Sequence, residues 1–327
     1  MRDLHWKDHV NDADHWTHLE IEMASQELPG LRLYAGTGRR FKLLLGEVPA
    51  FWGRVEHEWY GAWFLRNENH WDEAQMIIPP IRSADIIAGD PSLAGWSRFF
   101  LKALQQSSNS PLYQGSWHLS NANHRYALTP KRAATQWNVF GREQAFKKRP
   151  FYVDWGIMGS GALLALKEEP PVHSGRVKWY LKLIDQGQCP PILVWFVKSL
   201  DAYVILDGHC RLKACYEKKV IPEILVLGAV QKTFASPNPS MQQSVIRALG
   251  ERKKNWKKNA IPLEKENALL IEVFDDRPFI TAVSRSKAQR DLADSWNTEV
   301  RAFEYQEGID HDELKRMLGE PEEGHRN

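Results

Sequence analysis

The residues that could do chemistry lie in the sequence Asp207-Gly208-His209-Cys210-Arg211, between a predicted strand and a predicted helix. Gly208 lets a ligand approach the backbone, and the N–H groups of a helix that begins there favour an anion. Arg211 adds a planar charge suited to phosphate, and His209 can donate a hydrogen bond or move a proton near neutral pH. Asp207 could orient a hydroxyl group, hold a metal or act as acid or base. The segment predicts a phosphate-binding corner; the alternative is an Asp-Gly turn in which the aspartate caps the helix.

The elements that must position this corner are predicted by the residues around it. Apolar residues at helical spacing, closed by Gly187, predict a helix. β-branched and aromatic runs predict strands, and Leu212 and Cys215 are expected to face the core from the second helix. The predicted order is helix, strand, strand, helix, strand, at Gly175–Gln186, Pro191–Val197, Ala202–Leu206, His209–Lys219 and Ile221–Leu227.

This block resembles the ParB/sulfiredoxin-like superfamily over about residues 163 to 230. The resemblance implies a small mixed sheet flanked by helices and a nucleotide ligand (ATP, ADP or CTP) accompanied by Mg²⁺. Sulfiredoxins have a cysteine, and chromosome-partitioning ParB proteins a glutamate, where this chain has His209. The Asp-Gly-His-x-Arg form is that of the free serine kinases of the superfamily. The matching pieces are Ile184-Asp-Gln-Gly187, Pro191-Ile-Leu-Val194, Ile205-Leu-Asp-Gly-His-Cys-Arg-Leu-Lys-Ala214 and Ile221-Pro-Glu-Ile-Leu-Val226.

Similarity to the kinase branch implies a phosphotransferase or phosphohydrolase acting on a small hydroxyl-bearing substrate. That branch requires a glutamate just before the first helix, which corresponds to Glu168 or Glu169, with Glu169 preferred, and the loop aspartate, which is Asp207. The glutamate would accept a hydroxyl proton while residues 208–211 hold the phosphates. The alternative is that both glutamates are surface charges.

Two other functions are compatible with the sequence. A basic run that contains an aromatic residue is typical of single-stranded nucleic-acid binding and would suit a nuclease, although the same run could be a solvated helix end. The 14 tryptophans favour buried interfaces and would also suit a non-catalytic scaffold that binds a protein partner. The residues of the basic run are Arg252, Lys253, Lys254, Trp256 and Lys257.

Composition excludes several classes of protein. The formal net charge is +2, which indicates no particular partner. Charged or polar residues interrupt every apolar run, so we expect no membrane span, and the polar amino terminus is not a secretory signal. Three cysteines without zinc-type pairing predict neither a disulfide framework nor a metal site, which favours the cytoplasm.

The fold class expected for the whole chain is α+β, with additional regions on both sides of the ParB/sulfiredoxin-like core. We expect an amino-terminal mixed module at 1–150, the core domain at 151–232, an α/β region packing on it at 233–320 and a disordered tail at 321–327. Outside the core, the expected elements are a helix at 1–25 with a histidine-rich polar face, a hairpin at Leu31–Leu45, a helix at Leu93–Gln105, irregular structure at 115–150, a helix at Met241–Leu249, strands at Leu269–Phe274 and Phe279–Val283, and a long helix at Ser286–Tyr305.

Overall fold

The structure is a computed structural model that describes residues 3–24, 28–56, 60–68, 75–121, 146, 150–155, 162–234, 238–254, 262–274, 278–305 and 309–320. Within these ranges the chain forms two mixed β-sheets and eight α-helices, which confirms the α+β class. The helices are α1 (Ser83–Ala88), α2 (Leu93–Gln106), α3 (Gly175–Asp185), α4 (His209–Lys218), α5 (Pro239–Lys254), α6 (Leu263–Phe274), α7 (Leu292–Arg301) and α8 (His311–Leu318).

The larger sheet has eight strands and contains the corner at the end of β11. Its order is β1-β2-β7-β12-β10-β11-β9, and β13 pairs with β12. β10 runs parallel to β12 and antiparallel to β11. The sheet is therefore mixed, as expected, but larger than the small sheet that the resemblance implies. Its strands are β1 (Leu4–Val10), β2 (Trp16–Met23), β7 (Gly115–Asn121), β9 (Ala162–Ala165), β10 (Ile192–Val197), β11 (Ala202–Asp207), β12 (Ile224–Phe234) and β13 (Pro278–Val283).

The smaller sheet has six strands in the order β14-β3-β4-β5-β6-β8. The pair β3–β4 is the hairpin expected at Leu31–Leu45, with a short 3-10 turn at Thr37–Arg39. The domain boundary expected at residue 150 separates strands that pair with each other. β6 and β7 precede this residue, and they pair with β8 and β12, which follow it. The strands are β3 (Leu31–Ala35), β4 (Arg40–Leu45), β5 (Val48–Glu56), β6 (Gly61–Arg66), β8 (Phe151–Asp154) and β14 (Ser286–Ala288).

The two sheets face each other across one large core. Trp117 and Trp195 of the larger sheet, Phe51 of the smaller sheet and Phe100 of α2 all belong to it. On the outer face of the larger sheet, Leu212 of α4 packs against the strands, and α3 packs against α4. On the outer face of the smaller sheet, α7 and α8 cover a second cluster. The helix pair α3–α4 thus lies on the side of the larger sheet that faces away from the smaller one.

The helix expected at 1–25 is wrong, because these residues form the hairpin β1–β2. Leu19, Ile21 and Met23 alternate with polar residues and are buried, which is the period of a strand. His9 and His18 are paired across the hairpin with stacked rings whose centroids are 4.6 Å apart. In the described part of the chain no three His, Cys, Asp or Glu side chains are grouped to hold a metal.

Three other expectations outside the core block need correction. The strand expected at Leu269–Phe274 is the second half of α6, since a short apolar run does not distinguish strand from helix. The long helix expected at Ser286–Tyr305 begins as strand β14, and its helix starts only at Leu292. Residues 115–121, expected to be irregular, form β7 inside the larger sheet.

The remaining expectations for these regions are confirmed or fall on residues that the structure does not describe. The helices expected at Leu93–Gln105 and Met241–Leu249 correspond to α2 and to part of α5, and the strand expected at Phe279–Val283 is β13. The tail at 321–327 lies outside the described residues. Across the described ranges, no helix combines the length and apolar character that a membrane crossing requires.

Candidate functional site: the corner between β11 and α4

Gly208 forms the turn between β11 and α4 with a backbone conformation that suits glycine. Its φ is +113°, and it occupies the N-cap position of α4 without a side chain that could cap the helix. A Cβ atom added there would lie 3.0 Å from Nε and Nη2 of Arg211 and 3.0 Å from Cγ2 of Ile192. The corner therefore requires glycine both for its conformation and for its packing.

Arg211 is completely buried and holds Asp207 in place. Its Nη2 donates to Oδ2 of Asp207 over 2.6 Å, and its guanidinium lies 5.5 Å from the ring centroid of Tyr180 and 5.9 Å from that of Phe100. The Arg211 side chain is 0% exposed, whereas that of Asp207 is 25% exposed. A buried guanidinium cannot clamp a phosphate arriving from solvent, so Arg211 positions the carboxylate instead of acting as the expected phosphate fork.

His209 is buried beneath the loop that follows β9. The backbone N–H of Lys167 donates to Nε2 of His209 over 3.3 Å, which makes Nε2 the acceptor and leaves the proton on Nδ1. Burial, reinforced by the charges of Lys167, Arg66 and Arg211, holds the pKa of His209 well below its usual range. The imidazole is thus neutral at pH 7, and the expectation that it moves a proton near neutral pH does not fit this environment.

The depressed pKa of His209 predicts a pH dependence of stability. The unfolded chain takes up a proton at this histidine below about pH 6.5 and the folded chain does not, so the free energy of unfolding should fall as the pH falls below that value. The expected slope is up to about 1.4 kcal/mol per pH unit. Urea denaturation between pH 7 and pH 5 measures it. His209→Gln, which keeps an acceptor for the Lys167 N–H, should flatten the profile; an unchanged slope would contradict the assignment.

Arg66 of β6 links the smaller sheet to the loop that follows β9 and contains Lys167. Its side chain is 1% exposed, and its Nη1 donates to the backbone oxygen of Lys167 over 3.1 Å. Its Nη2 donates to the backbone oxygen of Phe146 over 3.4 Å and lies 3.1 Å from Oε1 of Glu68. Arg66 therefore fixes the backbone that bonds His209.

The surroundings of Asp207 and Cys210 carry positive charge. Burial lowers the pKa of Lys167, and the charges of Asp207 and Cys210 oppose that shift. Burial also raises the pKa of the Cys210 thiol, against the charges of Arg176 and Lys167. Cys210, at the beginning of α4, is thus a neutral thiol at pH 7.

Glu169, the glutamate expected to accept a hydroxyl proton, is bonded to Lys213 of α4. Its Oε1 accepts from Nζ of Lys213 over 2.6 Å, and Lys213 also lies 2.9 Å from Glu217. The Glu169 side chain is 47% exposed. The structure thus brings Asp207, Gly208, His209, Cys210 and Arg211 together, and it engages Glu169 in a surface ion pair beside them.

The alternative nucleic-acid surface lies largely outside the described residues. Trp256 and Lys257 are outside them, and Arg252, Lys253 and Lys254 end α5 with side chains that are not described. Sequence reasoning also missed Arg66, Lys167 and Tyr180, which come from β6, the loop after β9 and α3. The one available signal was the position of Lys167 directly before the glutamates, and none existed for Arg66.

The chain was compared with protein-family models, curated proteins and solved structures. No protein-family model matches the chain, and neither a curated protein nor a solved structure matches it.

Proposed function

We propose that this protein is a nucleotide-binding phosphotransferase or phosphohydrolase whose phosphate-binding site is the corner between β11 and α4. The observation that supports it is the ion pair between Asp207 and the completely buried Arg211, placed at the N-terminus of a ten-residue helix. An aspartate held in this way stands beside backbone N–H groups that favour an anion. Nε and Nη1 of Arg211 have no hydrogen-bond partner within the described part of the chain, so Asp207 is the one acceptor that holds this guanidinium there.

The residues of the corner suggest a division of roles. The first N–H groups of α4 bind the transferred phosphate, and the ammonium group of Lys167 neutralises part of its charge. The carboxylate of Asp207 accepts the proton of the attacking hydroxyl group or water. Arg211 fixes the direction of that carboxylate, and neutral His209 fixes the loop that carries Lys167.

Mg²⁺ does not fit the corner as a site built by the protein alone. The Asp207 carboxylate is already paired with the guanidinium of Arg211, and the charge of Lys167 also acts on it. Glu169, the second carboxylate expected there, is paired with Lys213. We therefore assign no step to Mg²⁺. Nucleotide binding is to be measured both with and without this ion.

Thermal denaturation with ATP, ADP and CTP, each with and without Mg²⁺, tests the binding part of the proposal. At a ligand concentration of about 100 Kd, binding should stabilise the protein by about 2.7 kcal/mol and raise the Tm by several degrees. Lys167→Gln should reduce the shift. Lys218→Gln is the matched control, because Lys218 lies at the other end of α4 in an exposed ion pair with Asp185. Absence of any shift in the unmodified protein would sink the proposal.

Release or transfer of the terminal phosphate tests the catalytic part. Asp207→Asn keeps an oxygen that can accept from Arg211 but removes the base, so turnover should fall by about 10²-fold or more. Asp185→Asn, in the exposed pair with Lys218, should leave turnover unchanged. Equal rates in the two variants would show that Asp207 has no role in the chemistry.

A further inference from the structure

A cavity of about 400 Å³ opens between the two sheets at the β14–β3 edge of the smaller sheet. Small-molecule sites commonly have volumes of about 300–1,000 Å³. The cavity lies on the inner face of the larger sheet, because Trp195, which lines it, belongs to the core between the sheets. The corner at α4 involves the outer face, so the two sites are separate. Its lining includes Leu31, Leu33, Tyr113, Trp195, Arg285 and Ser286.

The depth of the cavity is apolar and aromatic. Leu31, Leu33 and Trp195 are 0–3% exposed and present aliphatic and indole surface to it. Pro111 continues this wall. A flat aromatic or short aliphatic group would gain contact there without leaving a buried polar atom unpaired.

Arg285 is an exposed cation in the lining of the cavity. The guanidinium of Arg285 lies 5.6 Å from the centroid of the Tyr113 ring. Among the described residues no carboxylate forms a salt bridge with Arg285. Two further cations, Arg32 and Lys287, border the cavity, but each lies 5.7 Å from the ring of Tyr34, which alternates with Leu33 along β3 and points to the other face.

Two hydroxyl groups accompany Arg285. Burial raises the pKa of Tyr113 to about 12, against the opposing charge of Arg285, so the phenol keeps its proton and can donate it in a hydrogen bond. Ser286, the next residue after Arg285, supplies the second hydroxyl. One cation with two neutral donors matches a singly charged carboxylate better than a phosphate that carries two charges.

We infer that this cavity binds a small carboxylic acid with an aromatic or aliphatic body, its carboxylate held by Arg285 and its apolar part against Trp195. The inference is independent of the proposed function, because none of the residues that line the cavity belongs to the corner at residues 207–211. It adds to the protein a second ligand site with a different chemistry.

Calorimetric titration with 2-naphthoate and with its neutral isostere 2-naphthamide tests the inference. The unmodified protein should bind the carboxylate at least about tenfold more tightly than the amide, since only the carboxylate pairs with the guanidinium. Arg285→Gln should remove this preference and leave the amide affinity unchanged. Arg290 is an exposed cation that follows β14, so Arg290→Gln is the matched control. This variant should keep the preference for the carboxylate over the amide.

A second variant tests whether the cavity itself is the site. Ala288 lines the cavity from the exposed strand β14, and Ala288→Trp should fill it and abolish binding of both compounds. Unchanged melting temperatures in the variants establish that they fold. The inference is overturned if the unmodified protein binds neither compound, if naphthoate binding survives Ala288→Trp in the folded variant, or if Arg285→Gln and Arg290→Gln behave alike.

Discussion

Replacing Asp207 with alanine is expected to lower the free energy of unfolding by about 3–5 kcal/mol, because it leaves a buried charge without its partner. Arg211 is 0% exposed and donates to Asp207 over 2.6 Å. Neither Nε nor Nη1 of Arg211 has another acceptor within the described residues, so nothing there would replace the lost carboxylate. Urea denaturation at pH 7 measures the loss.

An exposed ion pair between the ends of α3 and α4 provides the control for Asp207. Lys218 lies 2.7 Å from Asp185, whose side chain is 61% exposed. Asp185→Ala should therefore cost no more than about 1 kcal/mol. In addition, Arg211→Met in the Asp207→Ala background should recover part of the stability, because it removes the unpaired cation. Equal costs for Asp207→Ala and Asp185→Ala would mean that the buried pair does not stabilise the fold.

Gly208→Ala is expected to cost about 2–5 kcal/mol and to weaken phosphate binding at the corner. Part of the cost is the strain of a side chain at φ +113°, and part is the displacement of Arg211 and Ile192, each 3.0 Å from the added Cβ. Movement of Arg211 would also turn the Asp207 carboxylate. Thermal and urea denaturation measure the first effect, and the nucleotide titration measures the second.

Gly187→Ala is the control that separates the cost of backbone strain from the cost of close packing at Gly208. Gly187 lies just after α3 with φ +66°, and an added Cβ would have no described atom within 4 Å. Gly187→Ala should therefore cost only the conformational strain, about 1–2 kcal/mol, with no effect at the corner. If the two alanine variants lost the same stability, the close packing of Gly208 against Arg211 would have no energetic role.

The block from α3 to β12 could be predicted from sequence because its signals are local. A helix with regular apolar spacing, a glycine after its end and two β-branched runs marked α3, β10 and β11 nearly to the residue. Leu212 and Cys215 are buried as expected. The hairpin β1–β2 was missed because the spacing of His5 and His9 matches a helix turn as well as one face of a strand.

The corner could be predicted in part. The backbone of residues 207–211 and its glycine follow from the strand–Gly–helix pattern. The burial of Arg211 does not, because it depends on Phe100 of α2 and Tyr180 of α3, which only the tertiary fold brings together. Arg66 reaches the loop from the other sheet, and a contact between residues so distant in sequence leaves no local pattern.

The pairing of β7 with β12 has a consequence for how the chain is made. β7 occupies residues 115–121, and β12, its neighbour in the sheet, is synthesised only after the whole corner block. Until then the nascent β1–β2–β7 sheet has an open edge whose backbone groups await a partner. Vectorial synthesis therefore leaves a template for wrong strand pairing, and closing it late makes folding slow, as expected for contacts of high sequence separation.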